Sequence, residues 1–378
     1  MPIIITGVLL LIFGILAIFS VSIHDSFALG LRGIAQGRWE GDPSNYFYFF
    51  RQLRNIVVGL IMAGVVYLIP IKFFQNNRNI VIIFAGLILF QLLVFIPGIG
   101  VVYNGARGWI SIPGISTLQP AEFFKIGYVL FLSSWLIRKY KMTNTKEFFI
   151  NFLVVNFVIF LIFLFIPDLG TVLVLGLAGL AMCRYAGAKF KYIALIVVGG
   201  MLAALGGALI ASSISPKFTY ITNRFTYFIR PDIDPQKRGI GRQNHQALIA
   251  IGGGGLFGQG YGKGLQKFGF IPEAQGDFIF SAFSEEVGFV GNMLLLGLYF
   301  YLCWYFLTHL PLVRDEYSRL IGIGIISLII MQMFVNIGVN LKILPNTGLT
   351  LPFISYGGSA IMVNMIQIVL LYKILKQK

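Results

Sequence analysis

The sequence predicts an all-α polytopic membrane protein, a bundle of about ten transmembrane helices with one long loop between the seventh and the eighth. Composition is the first observation: 57% of the 378 residues are hydrophobic and 11% are charged, where soluble domains carry about 25% charged residues. The second is a mean hydropathy of +0.84. The third is the recurrence of apolar runs able to cross about 30 Å of hydrocarbon, at 3–22, 56–71, 80–103, 119–137, 148–167, 169–185, 192–213, 277–308, 318–341 and 349–372. Residues 1–378 therefore read as a single integral membrane domain with no separate soluble one. Nothing in the pattern points to nucleic acid.

Each element follows from its residues. The first run has neither a basic leader nor a small-residue cleavage site after it, so it reads as a retained anchor. The second is short. Pro120 suits the first turn of the fourth, where its missing N–H is harmless. Asp168 stands in the tight connection before the sixth and suits its N-cap, because the first N–H groups of a helix need an acceptor. Lys and Arg concentrate in alternate loops, at Lys72, Arg78, Arg138, Lys139, Arg184 and Arg314, and again in the tail. That excess places both termini in the cytoplasm. No fixed-period repeat is present, which disfavours a transporter built from inverted repeats. Cys183 and Cys303 give no metal or disulfide spacing. The formal charge of +15 suits an anionic lipid surface or substrate, and equally a purely topological excess of cations.

The loop at 214–276 is the organising break, and loops of that length in compact proteins are usually functional or disordered. It interleaves Phe and Tyr with Arg224, Arg230, Lys237, Arg238, Arg242, Lys263 and Lys267. Such a segment suits the headgroup zone with its cations on phosphates, or an amphipathic stretch resting on the bilayer. Its glycine run, IGGGGLFGQGYGKG over 251–264, follows no strand and completes no Walker motif. A phosphate nest and tight packing both remain open for it.

Polar residues inside apolar runs are costly without a purpose. Residues 271–291, IPEAQGDFIFSAFSEEVGFVG, hold Asp277, Glu285 and Glu286. On a helix Ser281 and Ser284 share the face of Asp277, and Glu285 lies about 12 Å deeper. Glu286 points the other way and reads as a structural ion pair. Glu122 and Lys125 share a face at i,i+3 spacing, as a self-contained pair, a substrate contact or both. Arg107 and Trp109 mark the outer interface, with Arg107 a phosphate contact or a plain anchor. Residues 336–360 bring Asn340, Lys342, Asn346, Thr350, Ser355 and a Gly357–Gly358 pair to the outer side, a density that favours helices packed around a polar groove. These pieces describe an outward-facing cavity fit for chemistry on an anionic lipid, or for moving one.

The motifs GARGWI with LQPAEFFK, PDLGT, QNHQALIAIGGGGLFGQGYGKG, FIPEAQGDFIF with EEVGFVG, and LTLPFISYGGSA occur in that order. In this the chain resembles the SEDS family, the FtsW/RodA group of ten-span peptidoglycan polymerases, over nearly its whole length. The resemblance implies glycosyl transfer from lipid II, the undecaprenyl-pyrophosphate disaccharide-pentapeptide, at the outer face of the cytoplasmic (inner) membrane. It implies Asp277 as the catalytic general base. Arg107, Lys125 and Lys263 become candidates for the leaving pyrophosphate, Glu122 and Lys125 a buried ion pair, and Asp168 the aspartate between spans five and six. Gln243, Glu285, Lys342 and Ser355 complete the expected substrate-binding set. No cofactor or metal ligand is implied, and a divalent cation requirement is not legible. The implied partners are a class B penicillin-binding protein, division or elongation proteins and membrane lipids, with a lean to the division (FtsW) branch from QKFGFIPEAQ and LTLPFISYGGS. Two residues depart from the family pattern: Gly276 stands where a threonine or serine is usual, and His245 where a small residue is commoner. A lipid II flippase and a non-catalytic scaffold for the transpeptidase are the alternatives.

Overall fold

The computed structural model describes residues 1–38, 40–103, 106–112, 116–139, 145–166, 168–197, 199–200, 226–229 and 241–377. The chain is predominantly helical. Among the described residues eight helices are long and apolar enough to cross a membrane, and Leu169–Tyr185 is a shorter apolar one.

The chain opens with α1 (Pro2–Val21), an uncharged helix with proline in its first turn. The stretch after it is more ordered than the expected loop. It forms α2 (Ile23–Ala35), and α3 (Phe47–Leu68) begins well before the predicted residue 56. Arg51, Gln52, Arg54 and Asn55 hid that first turn, because a hydropathy window ends at charge whereas the helix does not. A short α4 (Ile71–Gln75) leads to α5 (Asn77–Leu92), which Asn76 caps through the N–H of Arg78 at 3.0 Å.

The predicted third span does not run to residue 103. The chain leaves the helix at 93–95 and turns at Pro97–Gly98, where Gly98 has φ 85. It then forms a three-stranded antiparallel sheet in the order β1 (Gly100–Tyr103), β2 (Ala106–Ile112), β3 (Ser116–Leu118). Gly100 pairs with Ile110, and Ile110 with Leu118. Ile110 packs with Val94 and Ile166, so the sheet has its own apolar anchor.

Next come α6 (Pro120–Lys139), α7 (Lys146–Phe165) and α8 (Leu169–Tyr185). Thr145 caps α7 through the N–H of Phe148 at 3.2 Å. The expected seventh span is helical over 190–197, and its residues 201–213 lie outside the described residues. So do Arg224, Arg230, Lys237 and Arg238 of the long loop. The described part of that loop carries α9 (Arg242–Gly254). It is followed by α10 (Ile279–His309), α11 (Glu316–Asn340) and α12 (Gly358–Leu375). The tenth span thus starts at Gly358 and not at 349, because Pro352, Phe353 (φ 67) and the glycine pair hold 349–357 out of the helix.

The chain divides into two compact units. The first comprises Met1–Val65, Arg230–Tyr305 and Gln332–Val369; the second comprises Val66–Ile229, Phe306–Met331 and Leu370–Lys378. Each has its own buried core, around Leu10, Ala17, Phe278, Tyr299 and Phe353 in the first and around Phe124, Tyr128, Phe163 and Phe306 in the second.

Candidate active site

In the first unit Asp277 ends an irregular segment and stands just before α10, half-buried. Its carboxylate therefore lies at a helix entrance and not along the helix wall. The backbone that carries it is held by an unusual run of donors. The carbonyl of Gln275 accepts the N–H of Tyr356 at 2.8 Å, and that of Gly276 accepts the Ser355 hydroxyl at 2.8 Å. The carbonyl of Asp277 accepts from Asn336 Nδ2 and from Asn340 Nδ2, each at 2.9 Å. Ser355 is fixed in turn by the N–H of Leu351 at 2.7 Å. Three successive carbonyls are thus satisfied by the segment that runs from α11 to α12. Buried hydrogen bonds of this kind hold a peptide because leaving any of its groups bare costs about 1–3 kcal/mol.

The backbone around this turn is also strained. Among the described residues the non-glycine positions with positive φ are Glu273 (52), Lys342 (56) and Phe353 (67). Glu273 lies in the Asp277 turn, Lys342 follows Asn340, and Phe353 precedes Ser355. Such conformations cost about 1–3 kcal/mol each and cluster where a site must be held in one shape. Lys342 closes the end of α11, where the N–H of Ile343 bonds back to the Gly338 carbonyl at 2.7 Å. Gln243, on α9, accepts from Asn346 Nδ2 at 3.1 Å, and Asn244 gives to the Val339 carbonyl at 3.1 Å. Ser355, Lys342 and Gln243 therefore belong to the segments around Asp277 in this unit.

Glu285 and Glu286 have a different task. At Gly288 (φ 66, ψ −167) α10 breaks, and the glycine loop 255–267 lies along the break. The carbonyls of Glu285 and Glu286 accept the N–H groups of Gln259 and Gly260 at 2.9 and 3.1 Å. The N–H groups of Phe289 and Val290 give to the carbonyls of Gly255 and Leu256 at 2.9 and 3.0 Å. The two irregular segments satisfy each other's backbone, the condition for tolerating them in an apolar setting. A Cβ at Gly258 would overlap the Glu286 carbonyl, and one at Gly288 would overlap the N–H of Gly258. The glycine run is there for close approach.

The side chains complete this clasp. Glu285 Oε2 accepts the N–H of Gln266 at 2.9 Å, and Glu286 Oε2 that of Gly262 at 3.0 Å. Lys267, fully buried, gives to Glu286 Oε1 at 2.6 Å, to Ser20 Oγ at 3.0 Å and to the Gly262 carbonyl at 2.9 Å. The structural reading of Glu286 is borne out in geometry, and Glu285 is likewise engaged by the loop. Lys263 is exposed at the loop surface.

In the second unit Lys125 gives to Glu122 Oε1 at 2.8 Å, both side chains buried in one turn of α6. Glu122 Oε2 has no hydrogen-bond partner among the described residues. Asp168 caps α8: its Oδ1 accepts the N–H of Thr171 at 3.0 Å and its Oδ2 the Thr171 hydroxyl at 2.8 Å. Burial raises the Asp168 carboxyl above its ordinary pKa of 3.8. The two bonds from Thr171 and the charge of Lys125 oppose that rise, and Glu122 adds to it. Arg107 lies on β2, half-buried, and its Nε is buried with no hydrogen-bond partner among the described residues. Beside it Trp109 meets Tyr103 edge to face at 5.4 Å.

Sequence reasoning missed Asn336, Lys267 and Ser20. Asn336 and Ser20 are polar inside apolar runs, and that was the available signal; Lys267 stood among the loop cations, read as a phosphate contact and not as a buried partner. No group of metal-binding side chains is present among the described residues.

A sequence model of the FtsW/RodA/SpoVE family, described as cell cycle proteins, matches residues 1–378. The chain is 36% identical over 318 residues to stage V sporulation protein E of Bacillus subtilis (strain 168), covering 84% of each. It is 32% identical over 373 residues to the probable peptidoglycan glycosyltransferase FtsW of Lactococcus lactis, covering 92% of this chain and 85% of that one. In fold it is similar to a chain of a peptidoglycan synthase complex, with a TM-score of 0.73 at 22% identity over 99% of this chain and 96% of that one. It is also similar to the rod shape determining protein RodA of Thermus thermophilus, with a TM-score of 0.67 at 23% identity over 99% of this chain and 95% of that one. With ordered motifs, helical membrane architecture and full-length match in agreement, the chain belongs to the FtsW/RodA/SpoVE family of cell cycle proteins.

Proposed function

We propose that this protein is a peptidoglycan glycosyltransferase that polymerises lipid II, with Asp277 as its general base. The observation that carries the reading is Asp277 itself, a carboxylate at the entrance of a membrane helix on a backbone held by Ser355, Asn336 and Asn340. Asp277 takes the proton from the C4 hydroxyl of the acceptor sugar as that oxygen bonds to the anomeric carbon of the donor. The anomeric C–O bond breaks with inversion, and undecaprenyl pyrophosphate leaves with the electron pair. The step requires hydrogen-bond reach between the carboxylate and that hydroxyl. A leaving pyrophosphate needs fixed positive charge. Two cations are suited to supply it: the exposed Lys263 of the unit that carries Asp277 and, in the other unit, Arg107, whose buried Nε has no hydrogen-bond partner among the described residues. The positive charge of Lys125 is already matched by Glu122.

The reaction takes place at the outer face of the cytoplasmic membrane, with both termini inside. A class B penicillin-binding protein is the partner that crosslinks the product, and the division branch is favoured by relatives named FtsW. The test is polymerisation of labelled lipid II by purified wild-type and Asp277→Asn protein, each with its transpeptidase. The wild type makes polymer, and the folded variant loses about 10²–10⁴-fold in rate. Polymer from both moves the chemistry off Asp277. Polymer from neither, with transport of lipid II across vesicles, replaces the enzyme by a flippase.

A further inference from the structure

We infer that Asn340 is a positioning residue for Asp277: its side-chain amide is inserted at the start of α10 and sets the direction in which the Asp277 turn leaves the helix. In an ordinary α-helix the carbonyl of one residue accepts the N–H four residues on. At the start of α10 that bond would join Asp277 to Ser281. Asn340 stands across this line. Its Nδ2 gives to the Asp277 carbonyl at 2.9 Å, and its Oδ1 accepts the N–H of Ser281 at 3.1 Å. The Ser281 hydroxyl gives to the same Oδ1. The backbone ladder takes over at the next residue, where Ala282 gives to the Phe278 carbonyl at 3.1 Å.

A primary amide presents donor and acceptor side by side, as a peptide unit does. It therefore substitutes for the displaced backbone bond and leaves neither end bare. Asn340 is 0% exposed, and its Nδ2 also gives to the Asn336 carbonyl at 2.9 Å, which locks the amide against its own helix. Asn336 steadies the same turn by linking the carbonyls of Asp277 and Leu349 at 2.9 and 2.7 Å. With an apolar side chain of similar volume at 340, the groups of Asp277 and Ser281 close on each other. The helix then extends toward Asp277, and joining it turns a side chain by about 100° per residue about the axis. The carboxylate would point elsewhere.

The inference rests on the reading of Asp277 as the base only for its effect on the reaction, and the two are separable. Full-length protein in its own membrane, with Cys183 and Cys303 replaced and Asp277→Cys introduced, is labelled with a water-soluble maleimide, with and without Asn340→Leu. In parallel, Asn340→Leu and Asn340→Asp on the otherwise unaltered chain are assayed for lipid II polymerisation beside Asp277→Asn. Asn340→Leu is expected to change the labelling rate at 277 severalfold and to lower kcat about tenfold or more with KM nearly unaltered. Asn340→Asp keeps the acceptor for Ser281 and falls between the two. An unaltered labelling rate in folded protein overturns the inference whatever the activity. Altered labelling with wild-type kcat overturns it too, when Asp277→Asn is inactive. Altered labelling while Asp277→Asn still polymerises leaves Asn340 as the determinant of the turn and removes Asp277 as the base. Where Asn340→Leu fails to fold, Asn340→Asp is put through both measurements.

Discussion

Two buried lysine–carboxylate pairs, Lys125–Glu122 and Lys267–Glu286, are alike in chemistry and opposite in construction. Their N–O distances are 2.8 and 2.6 Å, and neither leaves a side chain more than 5% exposed. The first closes within one turn of α6, between side chains three residues apart. The second joins a loop to a helix and draws in Ser20 from α1 and the backbone of Gly262. A local pair neutralises two charges where they stand, whereas a distant pair also decides where its loop lies. The clasp between the glycine loop and the break in α10 is therefore held by electrostatics as well as by backbone fit.

The largest effect expected from breaking this contrast is on the distant pair. Lys267→Met leaves Glu286 buried without its cation, a change that costs about 3–5 kcal/mol. Unfolding in detergent should show that loss, together with new proteolytic cleavage within 255–267. Lys125→Met should lower stability through Glu122 by the same mechanism yet leave the protease pattern of that loop unaltered. Cleavage in both variants, or in neither, would remove the distinction between the pairs.

Glycine substitutions sharpen the same comparison at a smaller scale. Gly258→Ala, at φ 78 and against the Glu286 carbonyl, forces the clasp apart. It is expected to destabilise by about 1–3 kcal/mol, the usual range for overpacking. Gly276→Ala has its nearest neighbour, the Glu273 carbonyl, at 3.4 Å and no positive φ. It should be tolerated, or gain about 0.4–1 kcal/mol from a stiffer unfolded chain, as parallel thermal melts would reveal.

The smallest effect concerns Asp168. Its folded pKa lies above its ordinary value of 3.8 because of burial, so the folded chain holds that proton more tightly than the unfolded one. Stability from this group is therefore full below the unfolded value and declines as pH rises through the raised folded one. Asp168→Asn should flatten that slope in a pH series of melts while the cap on α8 survives. Asp168→Ala should add a loss of about 1 kcal/mol by removing the cap.

The legible parts of this molecule were those set by neighbours in sequence. The Lys125–Glu122 pair follows from i,i+3 spacing, the Asp168 cap from its place before an apolar run, and the membrane helices from length and hydropathy. The sheet at 100–118 was not legible, because its strands are short and continue an apolar run that a window reads as helix. The early start of α3 was masked by charge in its first turns. Gly276 read as a departure from the family pattern, and nothing local announced that its carbonyl is held by Ser355 from far along the chain.

By itself the sequence determined that this chain lives in a membrane, which runs are long and apolar enough to supply its spans, and which side chains are too polar to sit there without a task, since these depend on composition and on contacts within one helical turn. Only the tertiary structure decided what each task is. It gave Glu286 to Lys267 and Ser20, the glycine run to the break at Gly288, and the Asn340 amide to the start of α10. Those partners are separated by tens to hundreds of residues, and a buried charge or bare amide is satisfied by whatever folding brings within about 3 Å of it.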